Sequence, residues 1–246
     1  INNPLGFQKK IFYNLIKEAT DTDFGKDHNF HKIKDYTDFQ AEVPVRDYEG
    51  LRPYVEKMLL GKASVLWPGK PLYYAKTSGT TSGVKYIPLS KASMPTHIRA
   101  ARDALLNYIY KSGNADFVKG KQIFLQGSPI LETTKGINYG RLSGIVAHYV
   151  PNYLQKSRMP SWETNCIEDW EKKVDAIVEE TFSENMSLIA GIPSWVQMYF
   201  EKLIERSNLP VGEMFKNFSL FVYGGVNLSL IHISEPTRPL YISYAV

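Results

Sequence analysis

PLYYAKTSGTTSGVKYIPLS, residues 71–90, is the stretch on which the reading of this chain turns. Two short apolar runs, Leu72-Tyr73-Tyr74-Ala75 and Tyr86-Ile87-Pro88-Leu89, flank a segment of five hydroxyl residues, two glycines and a lysine over 77–85. Aromatic and aliphatic runs on either side of a Gly/Ser/Thr cluster predict two strands joined by a loop. Glycine allows positive φ and lets backbone N–H groups turn inward, hydroxyls add donors, and Lys85 adds a formal charge. Such a group can surround a polyphosphate. The spacing is not that of a P-loop, whose glycines lie further apart and are followed directly by Lys-Ser/Thr. Here Val84 intervenes before Lys85 and Tyr86 follows it. Taken alone, the loop can equally be a Ser/Thr-rich hairpin.

Upstream, residues 9–20 place Ile11, Phe12, Leu15, Ile16 and Ala19 on one helical face. The polar stretch 20–35 has no period, Gly25 reads as a break, and His28 and His31 in it read as solvated loop histidines rather than metal ligands. A second helix is predicted over 47–60, where Tyr48, Leu51, Val55, Met58 and Leu59 share a face and Gly61 supplies the stop. Trp67-Pro68-Gly69-Lys70-Pro71 is a rigid turn.

Downstream, a helix over 93–110 carries Ile98, Ala101, Leu105 and Ile109, residues 121–127 form a buried strand, and 137–150 hold another. Residues 168–182 predict a helix with Trp170, Val174, Ile177, Val178 and Phe182 inward. The strand 187–191 leads to a helix opened by Pro193, with Trp195, Val196, Tyr199, Phe200, Leu203 and Ile204 on one stripe; 218–223 is a strand ending at Gly224-Gly225. Strands alternating with helices imply an α/β fold, a mostly parallel sheet or sheets with flanking helices. Ligands in such folds lie at the carboxyl ends of strands. Three loops meet that condition: the Ser/Thr/Gly loop, the one containing Ile192-Pro193-Ser194-Trp195, and Gly224-Gly225-Val226-Asn227.

Composition narrows the class. With 246 residues, 43% of them hydrophobic and 22% charged, the chain is a globular one, of one large domain or two small ones. No apolar run approaches a membrane span, and the opening INNPLGFQKK lacks the apolar core of a signal peptide. The single Cys166 excludes an internal disulfide framework and fits a reducing, cytoplasmic setting. A net charge of +4 with interspersed signs is a solvated surface rather than a nucleic-acid footprint.

KTSGTTSGVKYIPLS resembles the phosphate-binding loop of adenylate-forming enzymes, the superfamily of acyl-CoA synthetases and firefly luciferase. Within it, the chain is most similar to the auxin-responsive acyl-acid amido synthetases of plants and especially their bacterial relatives. The likeness also rests on FGKDHNF (24–30), VPVRDYEGLRPYVEKMLLG (43–61), WPGKP (67–71), LSGI (142–145), AGIPSW (190–195) and YGGVN (223–227). It implies a partial N-terminal domain of an adenylate-forming enzyme over 1–227 and ATP-dependent activation of a carboxylic acid, with transfer to an amino acid. By that likeness Thr77, Ser78, Gly79, Thr80, Thr81, Gly83 and Lys85 hold phosphates and Gly224 and Gly225 lie along the adenine. Mg²⁺ accompanies the ATP. Pro193, Ser194 and Trp195 line the acyl pocket, unless they are simply a helix start and a core aromatic. No residue is assigned a catalytic or metal-ligating role. The expected partners are a carboxylic acid and an amino-acid acceptor, with no nucleic acid or membrane.

After Asn227 the resemblance ends. Residues 228–246, LSLIHISEPTRPLYISYAV, lack the Ser-Glu-Gly strand that the family supplies, and read as a tail foreign to it in which His232, Glu235 and Arg238 are accidental. The expectation is therefore an N-terminal fragment, inactive by itself, of a protein roughly twice as long. An acid–thiol ligase making the same adenylate, or a non-catalytic nucleotide-binding module, fits the same residues.

Overall fold

Eight strands, β1 (Tyr73–Lys76), β2 (Tyr86–Leu89), β3 (Lys121–Phe124), β4 (Glu132–Thr134), β5 (Ile137–Gly140), β6 (Arg158–Met159), β7 (Met186–Gly191) and β8 (Leu220–Tyr223), organise the described residues into two sheets. The structure is a computed structural model that describes residues 3–77 and 83–224. It divides into two units, Ile1–Pro95 with Leu131–Leu142, and Thr96–Ile130 with Ser143–Val246, each containing one of the sheets.

In the first unit the strand order is β2-β1-β5-β4. β1 runs antiparallel to β2 and parallel to β5, and β4 is antiparallel to β5, so this sheet is mixed. β1 carries the unit's core: Tyr74 is fully buried, in a cluster with Met58, Val65 and Ile137. Met58 comes from the helix Tyr48–Leu59, which starts where Asp47 accepts a hydrogen bond from the Gly50 N–H at 2.9 Å and stops before Gly61, as its sequence predicts. The helix Pro4–Ala19 buries Ile16 and Ala19 against Phe30 and Ile33. Its predicted face is only half used, since Ile11 remains 58% and Leu15 50% exposed.

The segment 20–35 departs from its reading as solvated loop. Thr22 caps a short helix, Asp23–Asp27, and a 3₁₀ turn follows at Phe30–Lys32. Gly25 lies inside the helix and is no break: a Cβ there would collide with the Ala19 carbonyl oxygen and stand 2.8 Å from that of Thr20. His28 is 6% exposed and stacks on Phe24 at 4.1 Å between centroids, while His31 is exposed as expected. The His28 Nδ1 lies 2.8 Å from the Phe24 carbonyl and Nε2 lies 2.7 Å from an Arg46 guanidinium nitrogen. Both ring nitrogens are thus held by protein partners. Elements this short leave no period to read, which is why the pattern concealed them.

The second unit has the order β6-β3-β7-β8 with every pairing parallel. Successive residues face opposite sides. Ile123, Ile189 and Phe221 pack with the helices Trp170–Thr181 and Pro193–Ser207, whereas Phe124, Leu188 and Leu220 pack with Leu105 and Ile109 of the helix Met94–Ser112. A parallel sheet apolar on both faces needs such a double cover. Two expectations shift here. Of 137–150 only Ile137–Gly140 is a strand, and Leu142–Ala147 is a helix. Phe182 caps the helix end and is 36% exposed, with the Arg206 guanidinium over its ring.

Two stability measurements test this packing. Gly25→Ala should cost about 1–3 kcal/mol, the scale of overpacking a closed site, whereas Gly212→Ala, whose Cβ meets nothing within 4 Å, should not destabilise; equal urea midpoints for the two variants would contradict the packing. Tyr74 has no hydrogen-bond partner for its buried hydroxyl among the described residues, and burial pushes its pKa from 10.0 up to about 12. The folded state therefore keeps the phenol neutral, so this contribution is complete below pH 10.0 and is lost as the pH rises towards about 12. Tyr74→Phe should equal or exceed the parent's stability at neutral pH, by up to about 1 kcal/mol, and lose less of it in alkali. A Tyr74→Phe protein markedly less stable at pH 7 would show that the hydroxyl has a partner.

Candidate functional site

The Ser/Thr/Gly loop is closed at its base by main-chain and hydroxyl contacts. The Thr77 N–H donates to the Lys85 carbonyl at 3.0 Å, and the Lys85 N–H donates to Thr77 Oγ1 at 3.3 Å. Gly83, at φ +77°, occupies the left-handed region that glycine tolerates best, just before the chain enters β2. Ser78, Gly79, Thr80 and Thr81 lie outside the described residues. The antiparallel register continues below the loop, with Lys76 opposite Tyr86 and Ala75 opposite Ile87. β1 and β2 are thus the two arms of a hairpin.

Two lysines stand at the ends of these arms in different electrostatic settings. Lys76 lies 3.6 Å from Glu132 and 5.9 Å from the centroid of Tyr139, whose hydroxyl donates to Glu132 at 2.6 Å. That hydroxyl, with Lys76 beside it, holds the Glu132 carboxyl below the usual carboxylate range. Lys85 Nζ instead sits 5.5 Å from the centroid of Tyr48 and, among the described residues, has no carboxylate within ion-pair distance. Nearby Glu49 is occupied by Arg52 through two bonds of 2.6 and 2.7 Å. The Arg52 hydrogen bond chiefly, and the Lys85 charge to a smaller extent, lower the Glu49 pKa. Lys76 is therefore charge-compensated at close range, and Lys85 keeps its positive field.

In the second unit, β7 and β8 end level, with Gly191 opposite Tyr223. The chain leaves β7 through Ile192 into Pro193, the first residue of its helix, where proline's missing N–H costs nothing. Pro193 is buried and Ser194 is exposed. Trp195 stacks on Trp170 with centroids 4.1 Å apart, so its ring is engaged between two helices as a core aromatic. Gly224 follows β8 and, among the described residues, no atom lies within 4 Å of the Cβ it lacks. Gly225 lies outside the described residues, as does the tail 228–246.

The sequence-derived residues thus fall into two local groups. Thr77, Gly83 and Lys85 share the hairpin of the first unit; Pro193, Ser194, Trp195 and Gly224 share a sheet end of the second. Sequence reasoning missed Tyr48, whose hydroxyl lies 2.9 Å from the Tyr86 N–H, and the Lys76–Glu132–Tyr139 group. Tyr48 reads as one apolar position of a helical face, and nothing local announces a bond to a residue so far along the chain. Among the described residues no group of three or more His, Cys, Asp or Glu could hold a metal ion. No helix among them is long and apolar enough to cross a membrane.

Comparison with known proteins follows the same lines. The GH3 family N-terminal domain matches residues 1–174, a span that includes the loop and ends before Pro193. Jasmonoyl–L-amino acid synthetase JAR4 of Nicotiana attenuata is 23% identical over 162 residues, 65% of this chain and 27% of that protein. Indole-3-acetic acid-amido synthetase GH3.2 of Arabidopsis thaliana is 27% identical over 82 residues, 33% of this chain and 15% of that one. Among solved structures, the AtGH3.15 acyl acid amido synthetase in complex with 2,4-DB superposes with a TM-score of 0.66 at 18% identity, over 83% of this chain and 36% of its own. A further GH3.15 acyl acid amido synthetase structure gives 0.60 at 14% identity. The α/β fold is that of these enzymes, and the chain spans little more than a third of their length.

Because no atom of the described residues lies within 4 Å of a Cβ at Gly224, Gly224→Ala should leave the thermal midpoint of the protein essentially where it is, within about 0.5 kcal/mol in stability. A large drop would mean that the residue is packed and not free to receive a ligand.

Proposed function

We propose that this chain, which belongs to the GH3 family, carries the phosphate-holding loop of an ATP-dependent acyl-acid ligase that joins a carboxylic acid to an amino acid. The observation that carries the reading is Lys85. It stands at the closed base of a hydroxyl-rich loop and, among the described residues, has no carboxylate at ion-pair distance. A cation held at such a place by a neutral ring supplies positive potential to an incoming anion. The names of the relatives, a jasmonoyl–L-amino acid synthetase and an indole-3-acetic acid-amido synthetase, supply the reaction class.

In that reaction a carboxylate oxygen attacks the α-phosphorus of ATP, the bond to the bridging oxygen breaks, and pyrophosphate leaves. The amine of the acceptor then attacks the acyl carbon, AMP departs, and the amine loses a proton. What these residues contribute is positioning and charge. Lys85 and the Thr77 hydroxyl face the phosphate chain, with Ser78, Gly79, Thr80, Thr81 and Gly83 as further members of the loop. Gly224 and Gly225 offer backbone to the adenine. Mg²⁺ enters with the nucleotide, and no residue here is assigned to it. Pro193 and Ser194 border the acyl group, and Trp195 supports them from the core. Residues 1–227 form the family part of an N-terminal segment.

Lys85→Ala in the full-length protein should reduce acid-dependent pyrophosphate exchange by on the order of 10²-fold, the scale of removing one preorganised charge. Stability should change by no more than about 1 kcal/mol, since the side chain is partly exposed. Exchange at the parent rate would remove the loop from the nucleotide site.

A further inference from the structure

β2 is the edge strand of its sheet, so the main-chain groups of its even-numbered residues face away from β1. Pro88 has no N–H to leave exposed there. At Tyr86 both groups are taken by one side chain: the Tyr86 N–H donates to the Tyr48 hydroxyl at 2.9 Å, and that hydroxyl is 3.3 Å from the Tyr86 carbonyl, to which it donates. The same residue's ring supports Lys85 at 5.5 Å, and its other cation, Arg52 at 5.4 Å, is already compensated by Glu49. Tyr48 itself is fixed in the first turn of its helix beside the Asp47 cap.

One side chain therefore holds the backbone at the loop's exit and the ammonium one residue earlier. A carboxylate could hold the lysine too, as Glu132 holds Lys76, but it would cancel the charge and have to be displaced by a phosphate. An aromatic face attracts the cation through its quadrupole and leaves its charge available.

We propose that Tyr48 is a positioning residue of the Ser/Thr/Gly loop, acting through the Tyr86 backbone and the Lys85 ammonium; this rests on the phosphate-loop reading above. The test is pyrophosphate exchange by the full-length protein with Tyr48→Phe, Tyr48→Leu, Lys85→Ala and the Tyr48→Leu/Lys85→Ala pair. Tyr48→Leu should lower kcat/KM for ATP on the order of tenfold with the KM for the acid unchanged, and the pair should fall no further than Lys85→Ala alone. Tyr48→Phe keeps the ring and loses the hydroxyl, so it should speed hydrogen exchange at the Tyr86 amide on the order of tenfold while weakening ATP use to a smaller degree. If Tyr48→Leu does not fold, Tyr48→Phe decides by the amide and by ATP kinetics. Losses that multiply in the pair, an acid KM that rises in step with that for ATP, or an unaltered Tyr86 amide would overturn the role of Tyr48 while leaving Lys85 in place. A Lys85→Ala protein of full activity would overturn both.

Discussion

The first unit depends on how an edge strand is finished. β2 pairs on one side only, and an open row of N–H and C=O groups at a sheet edge invites pairing with another chain. Here Pro88 removes one donor and the Tyr48 hydroxyl occupies both groups of Tyr86. That closure has a further effect. It ties the helix Tyr48–Leu59 to the strand, and this helix supplies Val55 and Met58 to the buried side of the unit. The loop over 77–85 then hangs between β1, which is central and buried, and a β2 whose outer edge is pinned. Its two ends cannot drift apart without breaking the Thr77–Lys85 contacts first.

Charge is distributed with similar economy. Five charged side chains stand close to the ends of the hairpin strands, and four of them are paired: Lys76 with Glu132, and Arg52 with Glu49. Solvent-exposed pairs of this kind add little to stability. Their consequence is electrostatic: Glu132 and Glu49 are engaged by other cations at ion-pair distance, and among the described residues Lys85 has no carboxylate that close. The tyrosines make the same point by contrast. Tyr139 holds Lys76 together with a carboxylate, whereas Tyr48 holds Lys85 without one.

Legibility in the sequence followed the length scale of each interaction. The helix from Asp47 to Gly61 combines a capping carboxylate, a repeating apolar face and a terminal glycine, all local signals, and it forms where they place it. The helix opened by Pro193 is equally plain, with Val196, Tyr199 and Leu203 buried on its stripe. By contrast, the fold of 20–35 comes from a Thr22 cap, a Gly25 packed against a carbonyl and the stacking of Phe24 on His28, and none of these repeats with a period. Residues 137–150 are apolar enough for a strand, but only the first four pair with β1 and β4. The helix Pro4–Ala19 has five apolar positions on one face, and the neighbours reach only the side bearing Ile16 and Ala19. At the site, the loop was visible because its composition is unusual. Tyr48 was not, because a hydroxyl serving a distant strand leaves no mark on the helix that carries it.

The parallel sheet of the second unit brings the ends of its strands level. β3, β7 and β8 are in register at their carboxyl ends, with Phe124 opposite Ala190 and Gly191 opposite Tyr223. The segments that leave them therefore start side by side. A Cβ on Gly191 would sit 3.0 Å from Leu125 and 3.2 Å from Val196, so the turn into the Pro193 helix is held tightly against β3. Among the described residues Gly224 has no such neighbour. The turn at Gly191 is therefore fixed by packing. In the helix that follows it, the Trp195 ring is committed to Trp170, whose indole N–H is in turn directed at Met198, so the first turn of that helix is held in place as well.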